Sequence, residues 1–319
     1  MKHINPKNVS INDIQKYLNG GIAPRPIALV STISEYEENN LSPFSFYNAF
    51  GSNPPTIAFS PSRRVRDGSL KDTYYNLIST KQCVVQAVTY NMVEQMSLSS
   101  TEYEPYVDEF VKSGFTPVDS MIVKPKRVKE SPFQMECKLL DMIPLGKGNG
   151  AGNLAICEVV YFHIDDDIFE NGIIQPSLID LVGRNSGDFY TRASGNAIFE
   201  VEKPLNKKGI GYDKIPDFIK ESHVFSANNL GKFGNSESIP NEEDVFTFID
   251  KLNYFESTEP MFERFYSQKK HKKMLESALF LLKIRNKKAK LFIELSAKIA
   301  LENNDLDFAW KSVLYSNLI

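Results

Sequence analysis

The chain has 319 residues, of which 42% are hydrophobic and 12% aromatic, and its net charge is −3. This composition is typical of globular proteins and excludes a chain that is mainly disordered. The small net charge gives no general reason to bind nucleic acid or an anionic membrane, and no apolar run reaches the roughly 20 residues that span a bilayer.

The first two-thirds of the chain predict many short strands with a few small helices. A helix is expected from Ser10 to Leu18, because Ser10 can cap it and two glycines follow it. Apolar, β-branched runs predict strands at 27–33, 56–60, 82–89, 133–143 and 153–164. Further helices are expected at about 72–79, 91–98 and 104–113. The irregular order favours an antiparallel barrel or sandwich with helical additions over a parallel α/β sheet.

The composition changes near residue 200. Residues 201–240 contain several glycines and little periodicity, which predicts an extended tail that packs on the barrel. From residue 241 the apolar residues recur at helical spacing. We therefore predict a barrel domain at 1–200, a linking tail at 201–240 and a helical module at 241–319, for which the pattern indicates no role.

Three cysteines, Cys83, Cys137 and Cys157, all lie in apolar runs. An odd number without CxxC spacing argues against a disulfide framework or a zinc site. The amino terminus lacks the apolar core of a signal peptide. These features predict buried free thiols in a protein of the reducing cytoplasm.

One candidate anion site is Lys71-Asp72-Thr73, where a helix is expected to begin. The first backbone N–H groups of a helix lack partners within it, and the helix dipole places partial positive charge there. A phosphate is held well at such an end, with charge from Lys71 and a hydroxyl from Thr73. The alternative is that Asp72 or Thr73 only caps the helix while Lys71 is solvated.

A second candidate site runs from Ser42 to Asn48, where hydroxyls and an amide are interleaved with Phe44 and Phe46. A flat ring with a polar edge suits such a segment, because amide and backbone groups pair with the edge and aromatic side chains cover the faces. The alternative is a proline-containing loop whose aromatic residues belong to the core.

Metal chemistry is not indicated by the four scattered histidines, His3, His163, His223 and His271. His163 ends a strand-like run, so it is either a candidate at a barrel rim or a hydrogen-bonded structural residue. The glycine-rich run Gly146–Gly152 is interpreted as a hairpin loop, because it matches no phosphate-loop pattern.

Basic residues are concentrated in residues 263–290, which hold ten lysines and arginines against two glutamates. This excess can attract an acidic partner or nucleic acid. The alternative is a set of solvated helix faces, because apolar residues at helical spacing are interleaved with the charges.

Several short motifs, taken in order over residues 20–195, resemble the flavin reductase-like family. They are Pro24-Arg25-Pro26-Ile27-Ala28-Leu29-Val30-Ser31-Thr32, Leu41-Ser42-Pro43-Phe44-Ser45-Phe46-Tyr47-Asn48, Asn53-Pro54-Pro55, Lys71-Asp72-Thr73, Asp108-Glu109-Phe110, Glu130-Ser131-Pro132 with Glu136-Cys137, and Gly183-Arg184 with Tyr190. The resemblance, specifically to longer bacterial members, implies a mainly β fold with helical decorations: an FMN-binding split β-barrel of Greek-key type with a C-terminal helical extension. It also implies a homodimer with the flavin near the subunit interface.

The resemblance further implies three groups of site residues. The implied flavin contacts are Ser45, Phe46 and Asn48, with additional polar contacts from Ser31, Thr32 and Ser60. The phosphate and ribityl end is assigned to Lys71, Asp72 and Thr73. Candidates near the nicotinamide or the cofactor rim are Arg25, His163, Arg184 and Tyr190.

The implied function is that of an NAD(P)H-dependent flavin oxidoreductase, in which hydride passes from nicotinamide to FMN. The organic cofactor performs the redox step, so no side-chain acid or base is required. One alternative is an FMN-binding electron carrier that does not react with NAD(P)H. Another is a barrel scaffold whose basic helical tail binds an acidic partner. Neither a membrane nor nucleic acid is expected as a partner.

Overall fold

The computed structural model describes residues 1–104, 107–204 and 207–318. It divides into two compact units, Met1–Glu200 and Val201–Ile319. Positions 105 and 106 of the predicted helix at 104–113, positions 205 and 206 of the predicted tail, and the last residue of the predicted helical module lie outside the described residues. Among the described helices, none is long and apolar enough to cross a bilayer.

The first unit combines short helices with a large antiparallel sheet. Its helices are α1 (Ile11–Gly21), α2 (Asp72–Thr80), α3 (Val93–Leu98), α4 (Glu109–Ser113) and α5 (Pro176–Ile179). Its strands are β1 (Ala28–Ile33), β2 (Asn39–Phe44), β3 (Tyr47–Ser52), β4 (Pro55–Phe59), β5 (Gln82–Ala87), β6 (Pro117–Val118), β7 (Arg127–Val128), β8 (Phe133–Pro144), β9 (Asn153–Ile164), β10 (Phe169–Glu170), β11 (Ile173–Ile174), β12 (Val182–Arg184) and β13 (Tyr190–Arg192).

The main sheet has seven strands in the order β2-β1-β5-β8-β9-β4-β3, and it must roll into a barrel. Laid flat, its edge strands β2 and β3 would lie about 29 Å apart, because neighbouring strands are about 4.8 Å apart. Yet only Ser45 and Phe46 join the end of β2 to the start of β3, and such a link spans at most about 11 Å. The two edges therefore meet at Ser45-Phe46, which we call the barrel seam.

The predicted fold class is confirmed, and most predicted elements of the first unit are present. The strands expected at 27–33, 56–60, 82–89, 133–143 and 153–164 correspond to β1, β4, β5, β8 and β9. Within the described part of the helix predicted at 104–113, only Glu109–Ser113 is helical, because Asp108 caps its start and accepts from the Phe110 N–H. The sequence pattern did not predict β2 and β3.

Both faces of β1 are covered, so all six of its residues are buried. Ala28 and Val30 face the barrel core with Phe44 and Phe59. Leu29 faces a second apolar cluster outside the barrel. The three cysteines are buried and free, as predicted, and Cys83 lies directly opposite Cys137 across β5 and β8.

The second unit is helical. Its helices are α6 (Asp217–Lys220), α7 (Ala227–Gly234), α8 (Glu242–Asp250), α9 (Glu259–Ser267), α10 (His271–Lys283), α11 (Ala289–Glu302) and α12 (Leu306–Leu318). The helices predicted after residue 241 are confirmed. The segment predicted as a tail contains α6 and α7, whose Ile219 and Phe233 are buried in the apolar core of this unit with Trp310.

Candidate functional site

The barrel seam collects several of the predicted site residues. Arg25 is buried, and its Nε donates to the Ser45 hydroxyl at 3.2 Å. The other guanidinium nitrogens of Arg25 donate to backbone carbonyls at the end of α1 and to Asn185 O. On the other side of the seam, the Ser60 N–H donates to Phe46 O at 2.9 Å. Arg25 thus holds the seam against α1 and against the segment before β13.

Lys71 stands next to the seam as the residue that precedes α2. Its ammonium lies 5.6 Å from the centre of the Phe44 ring, and Phe44 ends β2. Within the described parts of the chain, no side chain caps the start of α2. Among the residues that the structure describes, Lys71 has no carboxylate within ion-pair distance. Burial lowers the pKa of Lys71, and the positive charge of Arg64 lowers it further.

The loop between β4 and α2 adds hydroxyls and arginines beside Ser60. The Ser60 and Ser62 hydroxyls lie 3.0 Å apart, and the Ser60 hydroxyl also accepts from the Asn153 N–H. Two buried polar atoms here have no hydrogen-bond partner among the described residues: Arg63 Nε, a donor, and Asn153 Oδ1, an acceptor. Unpaired buried polar atoms cost free energy, so this loop has donor and acceptor capacity to offer a ligand.

Two predicted rim residues contact each other close to the seam. The Arg184 guanidinium lies 4.6 Å from the centre of the Tyr190 ring. Arg25 and Arg184 exchange two backbone hydrogen bonds of 2.9 Å. The structure therefore brings together seven of the predicted residues: Arg25, Ser45, Phe46, Ser60, Lys71, Arg184 and Tyr190. Asn48 lies exposed on β3, where its Oδ1 accepts from the Ala49 N–H.

Thr32 and Thr73 belong to a buried polar cluster. The Asn40 side-chain amide donates to Thr32 Oγ1 at 2.9 Å and to Thr73 Oγ1 at 3.1 Å, and Asn76 Nδ2 also donates to Thr32 Oγ1. These bonds tie β1, β2 and α2 together. The hydroxyls of Thr32 and Thr73 thus serve the barrel itself, a role that the sequence pattern did not predict.

Ser31 lies on the other face of β1, and its hydroxyl donates to Lys126 O.

Asp72 lines a cavity of about 580 Å³ beside α2, whose lining also carries four glutamates: Glu35, Glu38, Glu104 and Glu109. Because carboxylates repel phosphate, the side chain of Asp72 does not suit the predicted phosphate contact. The backbone N–H of Asp72 does suit this contact, because it lies in the first turn of α2 and can donate to a phosphate.

His163 is a hydrogen-bonded histidine remote from Ser60. Its Nε2 lies 2.7 Å from Glu136 Oε1. The two carboxylate oxygens of Glu136 also accept from three backbone N–H groups, those of Met121, Ile122 and Val123. Ser60 contacts Asn153 at the start of β9, whereas His163 lies near its other end, about 30 Å further along the strand. Among the described residues, the hydrogen-bond partner of His163 is Glu136, and no hydrogen bond joins His163 to Ser45 or Phe46.

The sequence interpretation missed Ser62, Arg63 and Asn153 near the seam. The signal for the first two was present, because hydroxyl and basic residues follow a strand and precede the helix start at Lys71. The signal for Asn153 was absent, since it joins the loop only through the long β8–β9 hairpin.

Comparisons with known proteins agree with the barrel fold of the first unit. Residues 21–183 match the family model described as Flavin reductase like domain. An uncharacterized protein from Aquifex aeolicus is 34% identical over 196 residues, which cover 61% of this chain and 97% of the relative. The structure of nitrilotriacetate monooxygenase component B from Bacillus cereus matches with a TM-score of 0.59 and 32% identity, over 63% of this chain and 98% of that chain.

A structure from Shewanella frigidimarina with a split barrel domain matches with a TM-score of 0.54 and 23% identity, over 64% of this chain and 100% of that chain. This likeness supports the fold. All three relatives are covered almost in full, whereas more than a third of this chain has no counterpart in them.

Proposed function

The chain belongs to the flavin reductase-like family, and on that premise we propose that it binds FMN at the barrel seam and transfers hydride to it from NAD(P)H. The family match ends at residue 183, so the helical second unit is an extension beyond the shared domain. The observation that carries the proposal is Lys71, a partly buried cation without an ion-pair partner among the described residues, at the start of α2 and beside the seam.

The unpaired groups near the seam fit the chemistry of FMN. A phosphate suits the Lys71 ammonium and the first N–H groups of α2. The buried donor Arg63 Nε fits a phosphate oxygen, and the buried acceptor Asn153 Oδ1 fits a ribityl hydroxyl. Pairing these atoms with a ligand removes the cost of leaving them unsatisfied.

The residues of this chain would bind and orient the cofactor. FMN, when bound, supplies the hydride-accepting ring that amino-acid side chains lack. Lys71 holds the phosphate, while the Ser60 and Ser62 hydroxyls add polar contacts. Phe46, 41% exposed at the seam, offers an apolar surface to the ring. Arg25 keeps the seam in one arrangement, so the ring is held in position for the nicotinamide.

Anaerobic stopped-flow mixing tests the reductase activity. We expect NADH or NADPH to bleach the visible flavin absorbance of the FMN-loaded protein much faster than it bleaches free FMN at the same concentration. The reason is that positioning two reactants raises their effective concentration. A flavin band that stays unchanged with both nucleotides would rule out the reductase and leave the electron-carrier alternative.

A homodimer is part of the proposal, with strand β3 at the interface. The five residues that follow Tyr47 in β3 are exposed, and β3 pairs only with β4 in the main sheet. Phe50 is 68% exposed on this open edge. Exposed edge strands with apolar side chains favour association with another chain. Sedimentation equilibrium should give twice the chain mass of 36.2 kDa, and a mass equal to one chain would contradict the dimer.

A further inference from the structure

A cluster of exposed cations lies where α10 leads into α11. Residues 283–290, here called the basic loop, contain five exposed basic side chains: Lys283, Arg285, Lys287, Lys288 and Lys290. Two apolar side chains beside them are also exposed, Ile284 at 56% and Leu291 at 45%. The surface is therefore both strongly positive and partly apolar.

Most of this charge is uncompensated. Within the described part of the chain, the only carboxylate within ion-pair distance of the basic loop is Glu259, which lies 2.6 Å from Lys288. Lys283 lies over the ring of Tyr254, at 5.7 Å from its centre. Other cations of this unit are paired with acids, as in Lys269 with Glu302 and Lys273 with Glu276.

Helix stability does not explain the lysines at the start of α11, although it does suit Lys283 in the last turn of α10. Helix α11 begins at Ala289. Its first turn contains no acidic residue, and no side chain of the described residues caps it. Lys287, Lys288 and Lys290 lie at the positive end of the helix dipole, where acidic side chains are favourable and cations unfavourable. Lysines at this end of α11 destabilise the helix, and residues that destabilise the fold locally indicate a functional role for their charge.

We propose that the basic loop binds an acidic segment of a partner protein that also carries apolar side chains. Positive charge attracts the acidic segment, and Ile284 and Leu291 offer contacts to its apolar residues. The proposal does not depend on the flavin site.

Charge outside the loop favours a short acidic segment over a nucleic acid or a bilayer. Without the basic loop, the remaining residues have a clear excess of acidic side chains. A polyanion longer than the loop gains no further attraction from the rest of the chain, whose net charge is negative. A short segment contacts the loop alone.

Fluorescence anisotropy with the full chain tests this proposal. The probe is a fluorescein-labelled octapeptide of six glutamates and two leucines. We expect saturable, salt-sensitive binding that becomes at least about tenfold weaker in the double variant K287E/K290E, because two attractive charges become repulsive. The variant should fold, since glutamate at the start of α11 suits the helix dipole, and circular dichroism checks this.

The matched control is K270E/K272E, which makes the same charge change at the other end of α10, about 20 Å away along the helix. Both lysines are exposed. We expect this control to bind the peptide within about twofold of the unmodified chain. Equal weakening in both double variants would overturn the proposal, because binding would then follow overall charge. So would the absence of peptide binding, or stronger binding to a single-stranded oligonucleotide or to phosphatidylserine vesicles.

Discussion

Replacing Lys71 by alanine should weaken FMN binding about 10- to 100-fold and leave riboflavin binding almost unchanged. The reason is that a hydrogen bond to a charged group is worth about 1.5–3 kcal/mol, and riboflavin lacks the phosphate that Lys71 would contact. Quenching of flavin fluorescence during titration measures both dissociation constants. Folding should not suffer, because Lys71→Ala breaks no ion pair among the described residues. Burial also lowers the pKa of Lys71, so the substitution removes a charge whose burial is unfavourable.

Lys81→Asn provides the matched control for Lys71→Ala. Lys81 follows the other end of the same helix in a left-handed conformation, with φ of 60°, which asparagine also adopts. The variant removes one positive charge without touching the seam, so FMN affinity should stay within about twofold. If Lys71→Ala weakens riboflavin as much as FMN, the assignment of Lys71 to the phosphate is wrong.

Replacing Glu136 by glutamine should lower the free energy of unfolding of the first unit by about 2–4 kcal/mol at pH 7. Glu136 is fully buried and accepts from three backbone N–H groups and from His163, whereas an amide places a donor against these donors. Hydrogen exchange should accelerate at the amides of Met121, Ile122 and Val123. Urea unfolding followed by circular dichroism measures the loss of stability.

The effect should depend on pH in a defined direction. Burial alone would raise the pKa of Glu136, but the hydrogen bonds that it accepts together lower it below the usual glutamate range. Its contribution is therefore present above the unfolded pKa of about 4.3 and is lost as the pH falls through the lower folded pKa. The difference between Glu136→Gln and the unmodified chain should shrink as the pH falls from 6 to 3.

Glu158→Gln serves as the control for Glu136→Gln, because Glu158 is only partly buried on the neighbouring strand β9. It should change the free energy of unfolding by no more than about 0.5 kcal/mol. A loss as large as that of Glu136→Gln, or unchanged hydrogen exchange at Met121–Val123, would contradict the assigned role of Glu136.

Buried strands could be predicted from the sequence, whereas the edge strands could not. The runs that form β1, β5 and β9 are apolar because one or both of their faces are buried. Strand β2 contains two asparagines and Pro43, and β3 is almost wholly exposed, so neither shows a strand pattern. A proline is tolerated in β2 because β2 is an edge strand.

The candidate site shows the same division between local and long-range signals. Lys71 at the start of α2 could be predicted, because a helix start is a local pattern. The hydroxyls of Thr32 and Thr73 accept hydrogen bonds from the amides of Asn40 and Asn76. Only the folded barrel brings these residues together, so no local pattern predicts the bonds. Likewise, the donors that surround Glu136 come from a segment whose position no local pattern specifies.

The proposed flavin site is tested most directly by titrating the purified, flavin-free chain with FMN and, separately, with riboflavin. We predict saturation at one FMN per chain. Riboflavin should bind at least about tenfold more weakly, because it has no phosphate to contact Lys71 at the start of α2. Equal affinity for the two flavins, or no saturable binding of either, would contradict a phosphate-anchored flavin at the seam.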